Sequence, residues 1–209
     1  MKNIKSKRKK GILLAIAATV FWGFSGNVTQ YMFQISDVDA LTIVTLRLLI
    51  SGFILTLFAL LSGYKNTFLE IFKNKDARKN IIIFAIFGMV GTQLTFFSAI
   101  ENSNAAVATL LQFLSPLFVI FYYIFRKKQL PSKIEVFATF LALIGTFLII
   151  TNGSTKGLSV SVTGLTWGIL SALAVTFYMI FAKKLFVWSS RVTVGLSMLL
   201  GGILLFILL

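Results

Sequence analysis

The chain has 209 residues, 57% of them hydrophobic, with a formal net charge of +14 and neither cysteine nor histidine. This composition excludes a disulfide framework and any thiolate or imidazole metal site. Apolar stretches of about 20 residues, the length of a helix that crosses a bilayer, recur along the chain. They predict an all-α polytopic membrane protein.

Seven apolar stretches follow one another with no gap long enough for a soluble domain. The predicted spans cover residues 11–33, 40–61, 81–100, 105–125, 134–151, 163–182 and a last helix from about residue 192. Short connections predict that consecutive spans pack as antiparallel neighbours.

The basic residues are concentrated before span one and in every second connection between spans. Because Lys and Arg of short loops stay in the cytoplasm, this pattern predicts a cytoplasmic basic N-terminus, residues 1–10. A nucleic-acid-binding protein would instead gather its basic residues on one soluble face, so no nucleic-acid partner is expected.

All six acidic residues lie in loops or at predicted helix ends: Asp37, Asp39, Glu70, Asp76, Glu101 and Glu135. An intramembrane hydrolase would need a general base or metal ligands within the bilayer. We therefore expect no enzyme activity, no catalytic residues, no metal site and no cofactor.

Span one carries a polar stripe in an otherwise apolar helix. Five residues recur at i, i+3, i+4, i+7 and i+8 and therefore share one helical face: Trp22, Ser25, Gly26, Thr29 and Gln30. Asn27 lies beside this face. The stripe is expected to line a cavity, the alternative being hydrogen bonds between packed helices.

Arg47 is a charged residue inside a predicted span. A central Arg costs about 2.5–3.5 kcal/mol on insertion scales, so its guanidinium must find polar surroundings. One interpretation is an anion-binding or gating group. The other is a structural tie to Glu101 or Asp39, or a side chain that extends to the membrane surface.

Span four contains a predicted kink at Pro116. Proline has no N–H to donate, so the carbonyl of Gln112 loses its helical partner. The Gln112 side chain lies on the same face. Gln93 in span three lies at a similar depth and Tyr178 in span six somewhat nearer the cytoplasm, and together with Trp22 these residues predict a central site.

The chain also shows a weak internal repeat. A shift of 153 residues aligns Gly11 with Gly164 and Ile16 with Ile169. Spans one and six are predicted to run in opposite directions, as an inverted repeat of five spans requires. We therefore predict a first repeat at residues 11–151 and an incomplete second repeat at residues 163–209.

Several motifs, taken in order, resemble those of EamA-type transporters of the drug/metabolite transporter superfamily. They are Trp22-Gly23, Arg47, Ser98-Ala99 through Ala105-Ala106-Val107-Ala108, Leu114-Ser115-Pro116-Leu117, Leu143-Ile144-Gly145-Thr146 and the stretch from Gly164 to Tyr178. The resemblance implies a ten-helix fold built from two inverted five-helix repeats, of which about seven helices are present here.

The resemblance implies alternating-access transport of a small metabolite, such as an amino acid or another amphipathic solute, across the bacterial cytoplasmic membrane. The candidate substrate-binding residues are Trp22, Asn27, Gln30, Arg47, Gln93, Gln112 and Tyr178. Besides the solute and the lipid bilayer, a homodimer or a complementing chain is a possible partner. The alternative function is a truncated, non-transporting membrane protein that is inert or serves as a partner subunit.

Overall fold

The computed structural model describes residues 2–128, 130–151 and 160–209. These residues form helices joined by short connections and contain no β-strand. One π-helical segment, Phe84–Val90, joins α4 to α5. The α-helices are α1 (Lys2–Ile35), α2 (Ala40–Leu61), α3 (Lys65–Lys73), α4 (Lys75–Ile83), α5 (Gly91–Glu101), α6 (Ala105–Gln112), α7 (Ser115–Lys127), α8 (Lys133–Ile150), α9 (Val162–Leu185) and α10 (Ser190–Leu208).

Within the described residues, six helical stretches are long and apolar enough to cross a membrane. They are Gly11–Ile35, Ala40–Leu61, Lys75–Glu101, Ala105–Lys127, Val162–Leu185 and Ser190–Leu208. The remaining predicted span, 134–151, coincides with the 18-residue helix α8. The prediction of an all-α polytopic membrane protein is confirmed.

Two helices begin earlier than the apolar pattern predicts. The backbone of α1 is already helical at Lys2, within the predicted basic N-terminus. The connection between spans two and three contains α3 and the start of α4. The Asn74 side chain begins α4 early by accepting hydrogen bonds from Asp76 N and Ala77 N.

The close approach of α2 and α10 depends on glycine. A Cβ atom at Gly52 would lie 2.8 Å from the Leu199 Cα, and one at Gly202 would lie 2.7 Å from the Leu49 nitrogen. Two helix backbones can approach this closely in lipid only where one of them lacks a side chain. These helices make the most extensive interhelical contact among the described residues.

This packing predicts that Gly52→Ala is destabilising, because the new methyl group would overlap the α10 backbone. Overpacking of this kind costs about 1–3 kcal/mol. The matched control is Gly145→Ala, since a Cβ there meets no atom within 4 Å. Thermal melting of the detergent-solubilised protein should show a lower midpoint for Gly52→Ala alone. Equal midpoints for the two variants would contradict the packing account.

Candidate functional site

A central cavity of about 450 Å³ lies among α1, α2, the Phe84–Val90 segment, α5, α6, α9 and α10. This volume is within the usual range for small-molecule sites. Five of the seven candidate residues line it: Trp22, Arg47, Gln93, Gln112 and Tyr178. The structure thus brings together side chains from five helices that are far apart in sequence.

Most of the remaining lining is apolar. It consists of Met89, Phe96, Val175, Met179, Val194 and Met198, together with Thr92. Methionine side chains are flexible and polarizable and adapt to ligands of irregular shape. The cavity therefore combines a soft apolar wall with a few polar groups, as ligand sites commonly do.

Arg47 is held without a carboxylate partner among the described residues. Its Nη1 donates a hydrogen bond to Ser25 Oγ, and its Cζ lies 5.1 Å from the centre of the Phe97 ring. Such cation–π contacts stabilise an arginine that has been removed from water. The guanidinium has five N–H donors, so this arrangement leaves donors for another group.

The two carboxylates considered as partners of Arg47 have other roles. Asp39 Oδ1 accepts a hydrogen bond from Thr42 N at 2.9 Å and begins α2. Hydrogen bonding by the side chain and backbone of Thr42 lowers the pKa of Asp39. Glu101 Oε1 accepts from Ala40 N at 3.2 Å. Of the two interpretations of Arg47, the alternative of a tie to Glu101 or Asp39 is not observed among the described residues, where its hydrogen-bond partner is Ser25.

Gln112 contributes a buried amide at the point where the fourth span is interrupted. Helix α6 ends at Gln112 and α7 begins at Ser115, with Pro116 in its first turn. Gln112 Nε2 donates to Ser171 Oγ at 2.7 Å, but its buried Oε1 has no protein donor among the described residues. Only 3% of this side chain is exposed.

The walls beside Gln112 are fixed by contacts across the chain. Thr176 Oγ1 of α9 donates to the Ser115 carbonyl at 3.2 Å, so α9 packs against the interruption. Tyr178 packs its ring 5.0 Å from that of Phe84, which is fully buried in the π-helical segment. Segments of this kind occur frequently at functional sites, because the extra residue in the turn redirects side chains.

Two candidate residues do not line the central cavity. Gln30 Oε1 accepts a hydrogen bond from Ala105 N at 2.7 Å and ties α1 to the start of α6. Asn27 Nδ2 donates to the Gly23 carbonyl at 2.9 Å, and Asn27 lines a second cavity of about 320 Å³. Gln30 shares a helical face with Trp22 but lies two turns farther along α1, and Asn27 lies beside that face.

The chain matches known proteins over most of its length. The family model of the EamA-like transporter family matches residues 9–151. The chain belongs to the EamA-like transporter family. It is also 38% identical over 198 residues to the uncharacterized inner membrane transporter YicL of Salmonella typhimurium (strain LT2), covering 94% of this chain and 65% of that protein. No solved structure matches.

In this EamA-family chain, the apolar part of the lining was not predicted. Met89 and Phe96 lie four residues before and three residues after Gln93, and Val175 lies three residues before Tyr178. They therefore share the helical faces of the polar residues. This spacing was the available signal, but Met, Phe and Val are equally suited to a lipid-facing or core position.

Because Gln112 Oε1 has no described donor, we expect removal of the whole amide to destabilise the protein less than removal of its partner Ser171. Ser171→Ala should lower the melting midpoint, because it leaves both polar atoms of the buried amide without a protein partner, a cost of about 1–3 kcal/mol. Adding Gln112→Leu should restore the midpoint to the wild-type value or above, since the buried polar atoms are then removed. A double variant that melts as low as Ser171→Ala would contradict this account.

Proposed function

We propose that this chain transports a small amphipathic solute, such as an amino acid, by alternating access through the central cavity. The observation that carries the proposal is that one cavity is lined both by Arg47, which has no described carboxylate partner, and by Gln112, whose buried Oε1 has no described donor. A structural core would satisfy both groups internally.

Each group selects a different part of the solute. The spare donors of Arg47 suit an anionic oxygen, and the guanidinium geometry favours a carboxylate. Gln112 Oε1 requires an N–H or O–H donor. Trp22, Met179 and Met198 offer apolar surface to the rest of the molecule. A solute with one anionic group, one donor and an apolar portion satisfies all three.

The membership in a transporter family supports transport, whereas direction and mechanism are our inference. The basic connections favour a cytoplasmic N-terminus. The central cavity lies between helices of the predicted first repeat and α9 and α10 of the predicted second repeat. Transporters built from inverted repeats place their substrate at such a boundary, and rocking of one repeat against the other exposes it alternately.

The alternative function is a non-transporting membrane protein or a partner subunit. The chain spans 65% of the length of its Salmonella relative. The intact mass of the protein purified from native membranes separates the alternatives. A mass of 23.2 kDa would mean that transport requires a second copy or a complementing chain, whereas a larger mass would direct assays to the longer product.

Transport tests the site directly. In proteoliposomes containing the native product, Arg47→Ala and Gln112→Ala should each lower uptake of the transported amino acid at least tenfold, which corresponds to about 1.4 kcal/mol of lost interaction. The matched control is Arg191→Ala, because Arg191 stacks on Phe58 and Tyr64 away from the cavity. Undiminished uptake in both cavity variants would reject the site.

A chemical control identifies the role of the charge. The wild-type protein should take up the free amino acid faster than its carboxamide, which lacks the anionic group. The Arg47→Ala variant should take up the two at about equal rates. A variant that keeps the full preference would show that Arg47 does not bind the anionic group.

A further inference from the structure

The second cavity shares part of its wall with the central cavity. It is about 320 Å³ in volume and lies among α1, α5 and α6. Trp22 and Phe96 line both cavities. Their rings meet edge to face with centres 6.2 Å apart, so the two aromatic side chains form the partition between the cavities.

The second cavity lies nearer the end of the bundle that carries the connections at residues 36–39 and 102–104. On α6 it is lined by Ala105 to Leu110, whereas the central cavity is lined by Gln112, farther along the helix. On α1 it extends from Trp22 to Asn27, toward the α1–α2 connection. It is therefore an outer cavity, on the predicted extracytoplasmic side of the partition.

The two sides of the partition differ in how firmly they are held. Phe96 is 4% exposed and packs edge to face on the buried Phe97, whose ring lies under Arg47. Trp22 is 46% exposed and belongs to α1, the least buried of the six candidate membrane spans. The next residue of α1, Gly23, is also exposed, and a Cβ there would meet nothing within 4 Å.

We propose that the outer cavity is a second solute subsite and that Trp22 is the movable partition through which the solute reaches the central cavity. Phe96 is the fixed side. The inference rests on the proposed function, since it adds a step to the same path. Rotation of the indole away from Phe96 joins the two cavities, and its return separates the bound solute from the outer cavity.

The absence of cysteine from the chain provides a direct test that requires no transport assay. Single cysteines are introduced at Ala106, which lines the outer cavity, and at Val175, which lines the central cavity. A charged, membrane-impermeant methanethiosulfonate reagent is added on one side at a time, to intact cells and to inside-out vesicles. The side from which Ala106→Cys reacts is the side of the outer cavity.

From that side, Val175→Cys should react slowly when Trp22 is present and at least tenfold faster when Trp22→Ala is added. Trp22→Phe should keep the rate within about threefold of the wild type, because a phenyl ring still meets Phe96. The matched control is Phe21→Ala, which removes a neighbouring exposed ring that lines neither cavity and should leave the rate unchanged. A permeant maleimide confirms that each thiol is present.

Equal rates for Val175→Cys with and without Trp22, or no reaction of Ala106→Cys from either side, would overturn the proposal. The result is independent of substrate identity. If labelling of Val175→Cys depends on Trp22 but uptake fails, the partition is retained and the proposed solute is rejected. If labelling does not depend on Trp22 but uptake is normal, the transporter is retained and the partition is rejected.

Discussion

The desolvation of Arg47 is the constraint around which the helices of this protein are arranged. A guanidinium within a membrane helix is costly unless its donors and its charge are both satisfied. Here Ser25 of α1 accepts one hydrogen bond and the face of Phe97 in α5 lies against the charge. One side chain of α2 thereby contacts both α1 and α5, and the same side chain lines the cavity.

The cavity wall formed by the π-helical segment, α6 and α9 depends on backbone that departs from a regular α-helix. The π-helical segment Phe84–Val90 precedes the cavity-facing part of α5, and the interruption after Gln112 allows α9 to contact the Ser115 carbonyl. Irregular backbone is tolerated at membrane depth only where protein or a cavity surrounds it. Both irregularities adjoin the cavity. Helix α10, which packs closely on α2 at Gly52 and Gly202, also contacts the π-helical segment.

The sequence was sufficient to predict the helices, because the length of a membrane span and its apolar composition follow directly from the bilayer. It also placed Trp22, Gln93 and Gln112 at a similar depth, since counting 1.5 Å per residue along antiparallel helices measures depth. Gln30, a further candidate from span one, does not line the central cavity. A polar side chain on a packed face can equally bind the start of a neighbouring helix, as Gln30 does at Ala105.

No sequence pattern predicted the π-helical segment or the methionine residues that line the cavity. A π-turn depends on tertiary packing rather than on local preference, and the segment Phe-Ala-Ile-Phe-Gly-Met-Val reads as an ordinary apolar helix. Met179 and Met198 are apolar whether they face lipid or solute. For apolar residues in a membrane, hydrophobicity does not separate the cavity from the surface, so their roles become visible only when the helices are placed together.

Three buried side-chain oxygens have no partner among the described residues: Thr56 Oγ1, Gln112 Oε1 and Ser197 Oγ. They are not equivalent. A hydroxyl group can rotate to donate to the carbonyl four residues earlier in its own helix, so Thr56 and Ser197 have a local remedy. The amide oxygen of Gln112 can only accept, so it depends on a donor from another group. Of the three residues, only Gln112 lines the cavity with Arg47, so its unpaired oxygen is the one that the proposed solute would explain.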